Sequence, residues 1–399
     1  MVLLYWSVRI AWADWLSKER NRPSILAAIQ LFPDNSLFYW FWAEIEPRDA
    51  LVAFRQAVAV NPMNPLLRIE LGVSAENEGK LGEAETSFAM AVALDRTFSP
   101  RGILADYYFR HREVEKFWPA VRDALEHATG DTTALFENCW ALTSDAHLIL
   151  ERAIPDQPQV LRAYLAFLVS RNRVEAAAPV ANRIMATEEA SEGAKDSPED
   201  GGALLNYCDR LVMEKSAGNS ASGAVIVWNW LCKRKFLPYE VLEPEKGHVL
   251  TNGRFTVAPL SRGFDWRLLS AESLYIEQGK QTGGLDLTFT SKQPEKCEIV
   301  SQFVPLEASR KYRLRVGYNM SGIDRESGLT WRVVMPKGPE LLLGTLPGGG
   351  SGEQEFIGQF VAPPDAELGR LVLGYERVKG TVRIEGLVEI RRVELGYAE

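Results

Sequence analysis

Leu71–Ala91 reads LGVSAENEGKLGEAETSFAMA, and it carries the spacing of two helices joined by a turn. Ala75 and Ala84 are small enough to let two helix axes approach closely. Gly79 makes the turn between them, and Phe88 fills the groove that the small residues leave. Moving back 34 residues places Ala50, Phe54 and Ala57 where Ala84, Phe88 and Ala91 stand. Three coincidences at one period predict an array of repeated helix pairs.

Working outward, residues 1–235 read as helices separated by short turns rich in Pro, Gly and Asn. Leu37–Ala43, LFYWFWA, supplies a thick interhelical contact. Asn61-Pro62 and Asn64-Pro65 break the chain at a repeat joint, because a residue before proline avoids the helical region. A third unit, Ile103–Ala128, keeps the aromatics Tyr107, Tyr108 and Phe109 and a face of Phe117, Val121, Ala124 and Leu125, with its register slipped. Weaker helices follow at Leu135–Leu150, Val160–Ser170 and Ala176–Ala186. Thr187–Gly202 is acidic and poor in apolar residues, so it reads as a mobile loop. Helices resume at Ala203–Lys215 and Ala221–Lys233, where Trp228 and Trp230 sit on different faces. One closes the helical array and the other meets the next domain.

At the N-terminus, Leu4, Val8, Ala11 and Trp15 recur with helical spacing. The segment lacks the basic start and cleavage site of a signal peptide, and it is too short and too charged to span a bilayer. It reads as the first helix of the array, packed on the next. The alternative is a helix lying at a membrane surface.

After Pro238 the apolar period changes from 3.6 to 2. Residues 236–247 form a linker, and 248–399 divide into short strands bounded by turns. In Lys311–Met320, Tyr312, Leu314, Val316 and Tyr318 alternate with Arg313, Arg315, Gly317 and Asn319. One face is core and the other polar, so Arg313 and Arg315 read as solvated charges. Leu285, Leu287 and Phe289 alternate in the same way. Twelve strand candidates, among them Gly253–Val257 and Thr381–Ile384, imply two packed antiparallel sheets. LPGGGSG at 346–352 lacks the following helix and the Lys-Ser/Thr of a phosphate loop, so it reads as a turn.

Charge excludes one class of function. The chain carries −8. Residues from Glu245 onward hold 20 basic and 20 acidic side chains, and the first 244 hold 25 and 33. Neither half has the basic excess that a phosphate backbone demands, so no nucleic-acid partner is expected. The four cysteines, 139, 208, 232 and 297, lack metal-ligand spacing and read as small buried hydrophobes. No cofactor motif is present. No GxSxG, HExxH or Cys/His arrangement occurs either, and Glu295 and Glu298, three apart on a strand, point to opposite faces. No enzyme activity is expected.

The helix pairs resemble tetratricopeptide (TPR) repeats. The order LTNGRF, GFDW, GLDLTF, VSQFVPL, KYRLRVGYN, GLTWRV and GLVEIRRVEL resembles the jelly-roll carbohydrate-binding modules, over residues 248–397. Asn252, Gly253 and Phe255 match an opening N-G-x-F strand, Gln302–Leu306 an edge, and Tyr312–Val316 the strand after it. The expected fold is therefore an N-terminal TPR-like α-solenoid over 1–235 followed by an antiparallel β-sandwich of jelly-roll type over 248–399. That arrangement is similar to bacterial TPR proteins of exopolysaccharide export, which implies a periplasmic or membrane-associated setting. The resemblance implies a protein partner in the solenoid groove, a polysaccharide on the sandwich, and room for a structural calcium ion.

A sugar site needs flat aromatic rings with polar groups beside them. Trp266, between Asp265 and Arg267, reads as a residue of a loop rim and a ligand contact. Trp331 shares a face with Leu329 and Val333, which favours core packing over ligand contact. Tyr275 and Tyr318 are secondary candidates. Two readings follow. One is a non-enzymatic scaffold that tethers a protein partner to a polysaccharide. The other is a structural assembly factor whose sandwich binds no sugar. Exposure of Trp266 and its neighbours in a concave face, or their burial against Trp228 or Trp230, separates them.

Overall fold

The computed structural model describes residues 2–189, 201–214, 220–269, 271–279, 283–323, 326–336, 338, 340–350 and 352–398. Between Thr187 and Gly202, residues 190–200 of the expected loop lie outside the described residues. The chain divides into two compact units, 1–161 and 162–399.

The first unit holds α1 (Val2–Ser17), α2 (Arg22–Leu31), α3 (Ser36–Ile45), α4 (Ala50–Val60), α5 (Pro65–Asn77), α6 (Leu81–Leu94), α7 (Phe98–Arg110), α8 (Val114–Glu126), α9 (Thr133–Leu142) and α10 (Ala146–Arg152). Leu71–Ala91 spans the α5–α6 hairpin, with Gly79 in the turn at φ +75°. A Cβ built on Gly72 would lie 2.6 Å from the Phe88 ring, so the ring rests on bare helix backbone. Phe54 and Ala57 are buried in α4 as Phe88 and Ala91 are in α6. In α8 the buried residues include Phe117, Val121 and Ala124, 33 residues beyond Ala84, Phe88 and Ala91. The slip is one residue, and the large ring has moved to the first place of the triplet. The Asn-Pro breaks act as caps. Asn64 accepts from the N–H of Leu66 at 3.0 Å, with Pro65 in the first helical turn. Neighbouring hairpins are tied by ion pairs near one repeat apart. Glu76 meets Arg110 at 2.8 Å, and Glu85 meets Lys116 at 2.8 Å.

The expected packing face of α1 is corrected. Leu4, Val8, Ala11 and Trp15 are exposed. The helix meets α2 on another side, through Ala13 packed near Ala28 and through Arg9, which donates to the Leu31 carbonyl at 2.6 Å. Tyr5, Trp6, Ile10 and Trp12 are exposed too. A helix that is apolar nearly all round has no single face for periodicity to pick out. Among the described residues, no helix is long and apolar enough to cross a membrane.

The boundary between the units falls inside α11 (Pro158–Ser170). The segment 236–247 marks the change from helix to strand, but the compact units part earlier. Helices α12 (Val174–Glu189), α13 (Gly202–Met213) and α14 (Ser220–Lys233) belong to the same unit as the strands. Those strands are β1 (Arg267–Leu268), β2 (Leu274–Gln278), β3 (Leu285–Thr290), β4 (Lys296–Pro305), β5 (Lys311–Ser321), β6 (Glu326–Val334), β7 (Glu340–Pro347), β8 (Gln354–Val361), β9 (Leu368–Glu376) and β10 (Glu385–Tyr397). They form two five-stranded antiparallel sheets, ordered β1-β4-β9-β6-β7 and β2-β3-β10-β5-β8. This is a β-sandwich of jelly-roll type. Its core lies between the inner faces, with Leu287, Val316 and Val388 from one sheet and Leu329, Val333 and Leu371 from the other.

Two strand expectations fail. Gly253–Val257 is a turn: Asn252 and Phe255 both have φ +50°, and the Asn252 side chain bonds to the N–H and C=O of Val257. Asparagine tolerates that left-handed conformation. Thr381–Ile384 pairs with no strand, and its Thr381 N–H closes a turn onto the Val378 carbonyl.

Candidate functional site

The expected rim residue is a core residue. Trp266 is 0% exposed. Its ring lies 5.0 Å from that of Phe255 and 6.3 Å from that of Trp331, and its Nε1 donates to the Asn252 carbonyl at 3.2 Å. A sugar ring cannot reach it. The polar neighbours that suggested a rim serve a joint with the helices of the same unit. Gly263, at φ +54°, has no room for a side chain, because a Cβ would lie 2.5 Å from the Trp228 ring. Its N–H donates to Asp209 of α13 at 2.8 Å, and Arg267 donates to the same oxygen at 2.6 Å. Phe264 meets Trp228 edge-on at 5.9 Å. Asp265 is buried and accepts from the Tyr239 hydroxyl at 2.8 Å and from the Leu260 N–H. Burial pushes its carboxyl above the usual range, against those hydrogen bonds. Burial also lowers the Arg267 guanidinium, while the Asp209 charge opposes this.

Two more candidates go inward. Trp331 lies on the inner face of β6, fully buried beside Leu329 and Val333. Tyr318 is also fully buried, and its hydroxyl donates to the Pro347 carbonyl at 3.0 Å. Strand alternation puts both on the core face, and the polar flanks in the sequence belong to the opposite face. Only Tyr275 reaches solvent. It stands on the edge strand β2 at 60% exposure, the one exposed Phe, Trp or Tyr among the described residues from 248 on.

The outer face of the first sheet is partly covered within its own unit. Val212 and Met213 of α13 stand over Ser301, Phe303, Val334 and Arg370, around a recess of about 390 Å³. On the same sheet, Glu298 accepts from Arg370 at 2.6 and 2.9 Å and from Arg332 at 3.0 Å. Burial raises this carboxyl, but the hydrogen bonds and charges of Arg370 and Arg332 outweigh it and hold it below the usual range. Glu295 pairs instead with Arg377 and Arg383.

The outer face of the second sheet carries a row of cations. Lys311, Arg313 and Arg315 point the same way along β5. Across from them on β8 stand Val361, Gln359 and Ile357, all uncharged. On β10, Gly396 opposes Arg313 and Glu394 opposes Arg315. Glu394 pairs with Arg392, at 3.6 Å. A recess of about 400 Å³ opens here, lined by Lys246, His248, Arg313, Arg315, Glu394 and Tyr397. The alternation in YRLRVGYN already placed both arginines outward. The sequence could not show that, among the described residues, neither has an ion pair.

Cys139, Cys208 and Cys232 are buried, Cys297 is half-buried, and none is bridged. Burial pushes the Cys139 thiol up to about 12. Among the described residues, no group of three or more His, Cys, Asp or Glu is arranged to hold a metal ion.

No protein-family model matches the chain, and no curated protein matches its sequence. Solved structures are similar to parts of it. A CBM4 carbohydrate-binding module is 12% identical, over 37% of this chain and 98% of that one, with a TM-score of 0.29. TmCBM61, solved with beta-1,4-galactotriose, is 14% identical over 37% of this chain and 92% of that one, with a TM-score of 0.25. YrrB, a TPR protein with an unusual peptide-binding site, is 11% identical over 53% of this chain and 97% of its own, with a TM-score of 0.25. At these scores the likeness carries no inference about a ligand.

Proposed function

We propose that the chain is a non-enzymatic adaptor, whose helical repeats bind a protein partner and whose sandwich binds polysaccharide on the outer face of its second sheet. Such an adaptor works by tethering, since two modest sites on one chain raise effective concentration. A place in bacterial exopolysaccharide assembly or export, outside the cytoplasm, fits this division of labour. The carrying observation is the outer face of the β2–β8 sheet, where Arg313 and Arg315 have no ion pair among the described residues and a recess opens to solvent. The exposed apolar side of α1 supports contact between the helical unit and a partner.

A second reading has its own support. Trp266 is buried, and its neighbours Gly263 and Phe264 lie against Trp228, as a purely structural assembly factor would have them. Native gels cast with individual polysaccharides separate the two readings, using the full chain. Specific retardation by one polymer supports the adaptor. A folded chain retarded by none leaves the structural factor.

A further inference from the structure

Resting on that reading, we infer that the polysaccharide is acidic, and that Lys311, Arg313 and Arg315 hold its carboxylates. Neutral sugar chains are gripped chiefly by stacking on flat rings. Here Trp266, Trp331 and Tyr318 are withdrawn into the core. Tyr275 is far from the recess. It is level with Thr288, Leu387 and Ser321 across the sheet, three strands from β5 and six residues along from Arg315. At about 3.4 Å per residue and 4.8 Å per strand, that is about 25 Å. Tyr397 is the ring at the recess itself, and it is half-buried, with its hydroxyl donating to the Pro244 carbonyl at 2.7 Å and its ring 5.3 Å from that of Tyr312. Recognition there therefore rests chiefly on charge and hydrogen bonds.

On β5 the charge has one sign, and it is not answered along the strand. Side chains at i, i+2 and i+4 of a strand are neighbours on one face, and like charges so placed repel. Elsewhere the sandwich neutralises such groups: Arg332 and Arg370 meet Glu298, Arg377 meets Glu295, Arg391 meets Glu389 and Arg392 meets Glu355. Among the described residues, Lys311, Arg313 and Arg315 have no ion pair or side-chain hydrogen bond. The acid opposite Arg315, Glu394, is engaged by Arg392. Gly396 leaves the space beside Arg313 free of side chain; Lys246 and His248 at the rim are themselves paired with Glu243, at 2.6 and 3.4 Å, so the free charge is that of β5. The excess is local, because residues from Glu245 on are neutral in sum. Guanidinium forks match carboxylates two bonds at a time, and a sheet face suits an extended chain. A duplex or single-stranded nucleic acid would need a wider basic surface than a chain of −8 presents.

The test is affinity electrophoresis of the full chain in gels containing polygalacturonate or alginate, the methyl-esterified form of each, a neutral β-glucan, or polyphosphate. The expected result is retardation by a polyuronate. It is lost on esterification, weakened by salt, and reduced at least tenfold in Arg313→Gln/Arg315→Gln. That variant should keep the parent melting temperature, since neither side chain has a partner to lose. Equal retardation by the ester or the glucan overturns the acidic assignment and leaves the polysaccharide reading standing. Preference for polyphosphate overturns it in favour of a phosphate polyanion. No retardation by any polymer overturns both.

Discussion

Arg267 of β1 and Gly263 of the loop before it donate to one oxygen of Asp209 on α13, at 2.6 and 2.8 Å. The strand and the helix are thereby fastened at a point where Arg267 is largely buried, and its ring neighbour Phe303 lies 4.6 Å away. Removing either partner strands the other's polar groups. We expect Asp209→Ala and Arg267→Ala each to cost about 2 kcal/mol, with a coupling of about 1–2 kcal/mol in the double variant. Urea unfolding of the four proteins checks this. Strictly additive losses would mean that the contact carries no energy of its own.

Trp266 and Tyr275 exchange the parts that their sequence context suggests. Trp266→Ala opens a hole between Phe255 and Trp331 and removes the indole bond to the Asn252 carbonyl, which keeps the Phe255 N–H at 2.9 Å. The expected loss is about 3–5 kcal/mol of stability. Tyr275→Ala, on an exposed edge, should stay within about 0.5 kcal/mol of the parent. Melting curves of both decide the matter. A stable Trp266→Ala with weakened glycan binding would return the ring to the surface.

The contrast shows what a sequence can convey. Alternation in Lys311–Met320 and the spacing of Ala84, Phe88 and Ala91 report the direction of each side chain, because a strand or helix fixes it locally. Both readings hold in the structure. The strand count came close for the same reason, and it failed at Gly253–Val257, where a left-handed Asn252 turns the chain. The partners of a loop are not local. GFDWR looks like a rim because Asp265 and Arg267 are polar, yet their partners, Tyr239 and Asp209, lie 26 and 58 residues away in the chain. Nor can periodicity reveal that Arg313 and Arg315 find no ion pair among the described residues, since that depends on Gly396 and Glu394 arriving from the last strand. Helix α1 misleads in a third way, because its apolar residues surround the axis.

Gly72 and Phe88 offer a test of the helical repeat in which the sign of an effect reverses. In the parent, a methyl group on Gly72 would sit 2.6 Å from the Phe88 ring, inside van der Waals contact. Replacing glycine by alanine inside a helix gains about 1 kcal/mol in backbone terms. Overpacking a tight interface costs about 1–3 kcal/mol. The steric cost should win, so Gly72→Ala is expected to destabilise the unit of residues 1–161 by about 1 kcal/mol. With Phe88→Leu in place the ring edge is gone. The same Gly72→Ala change should then stabilise, by up to about 1 kcal/mol, against a background weakened by the smaller side chain. Thermal unfolding of the two single variants and the double variant measures this cycle. If Gly72→Ala shifts stability equally in both backgrounds, the glycine is not there for the ring, and the close approach of α5 and α6 has another cause.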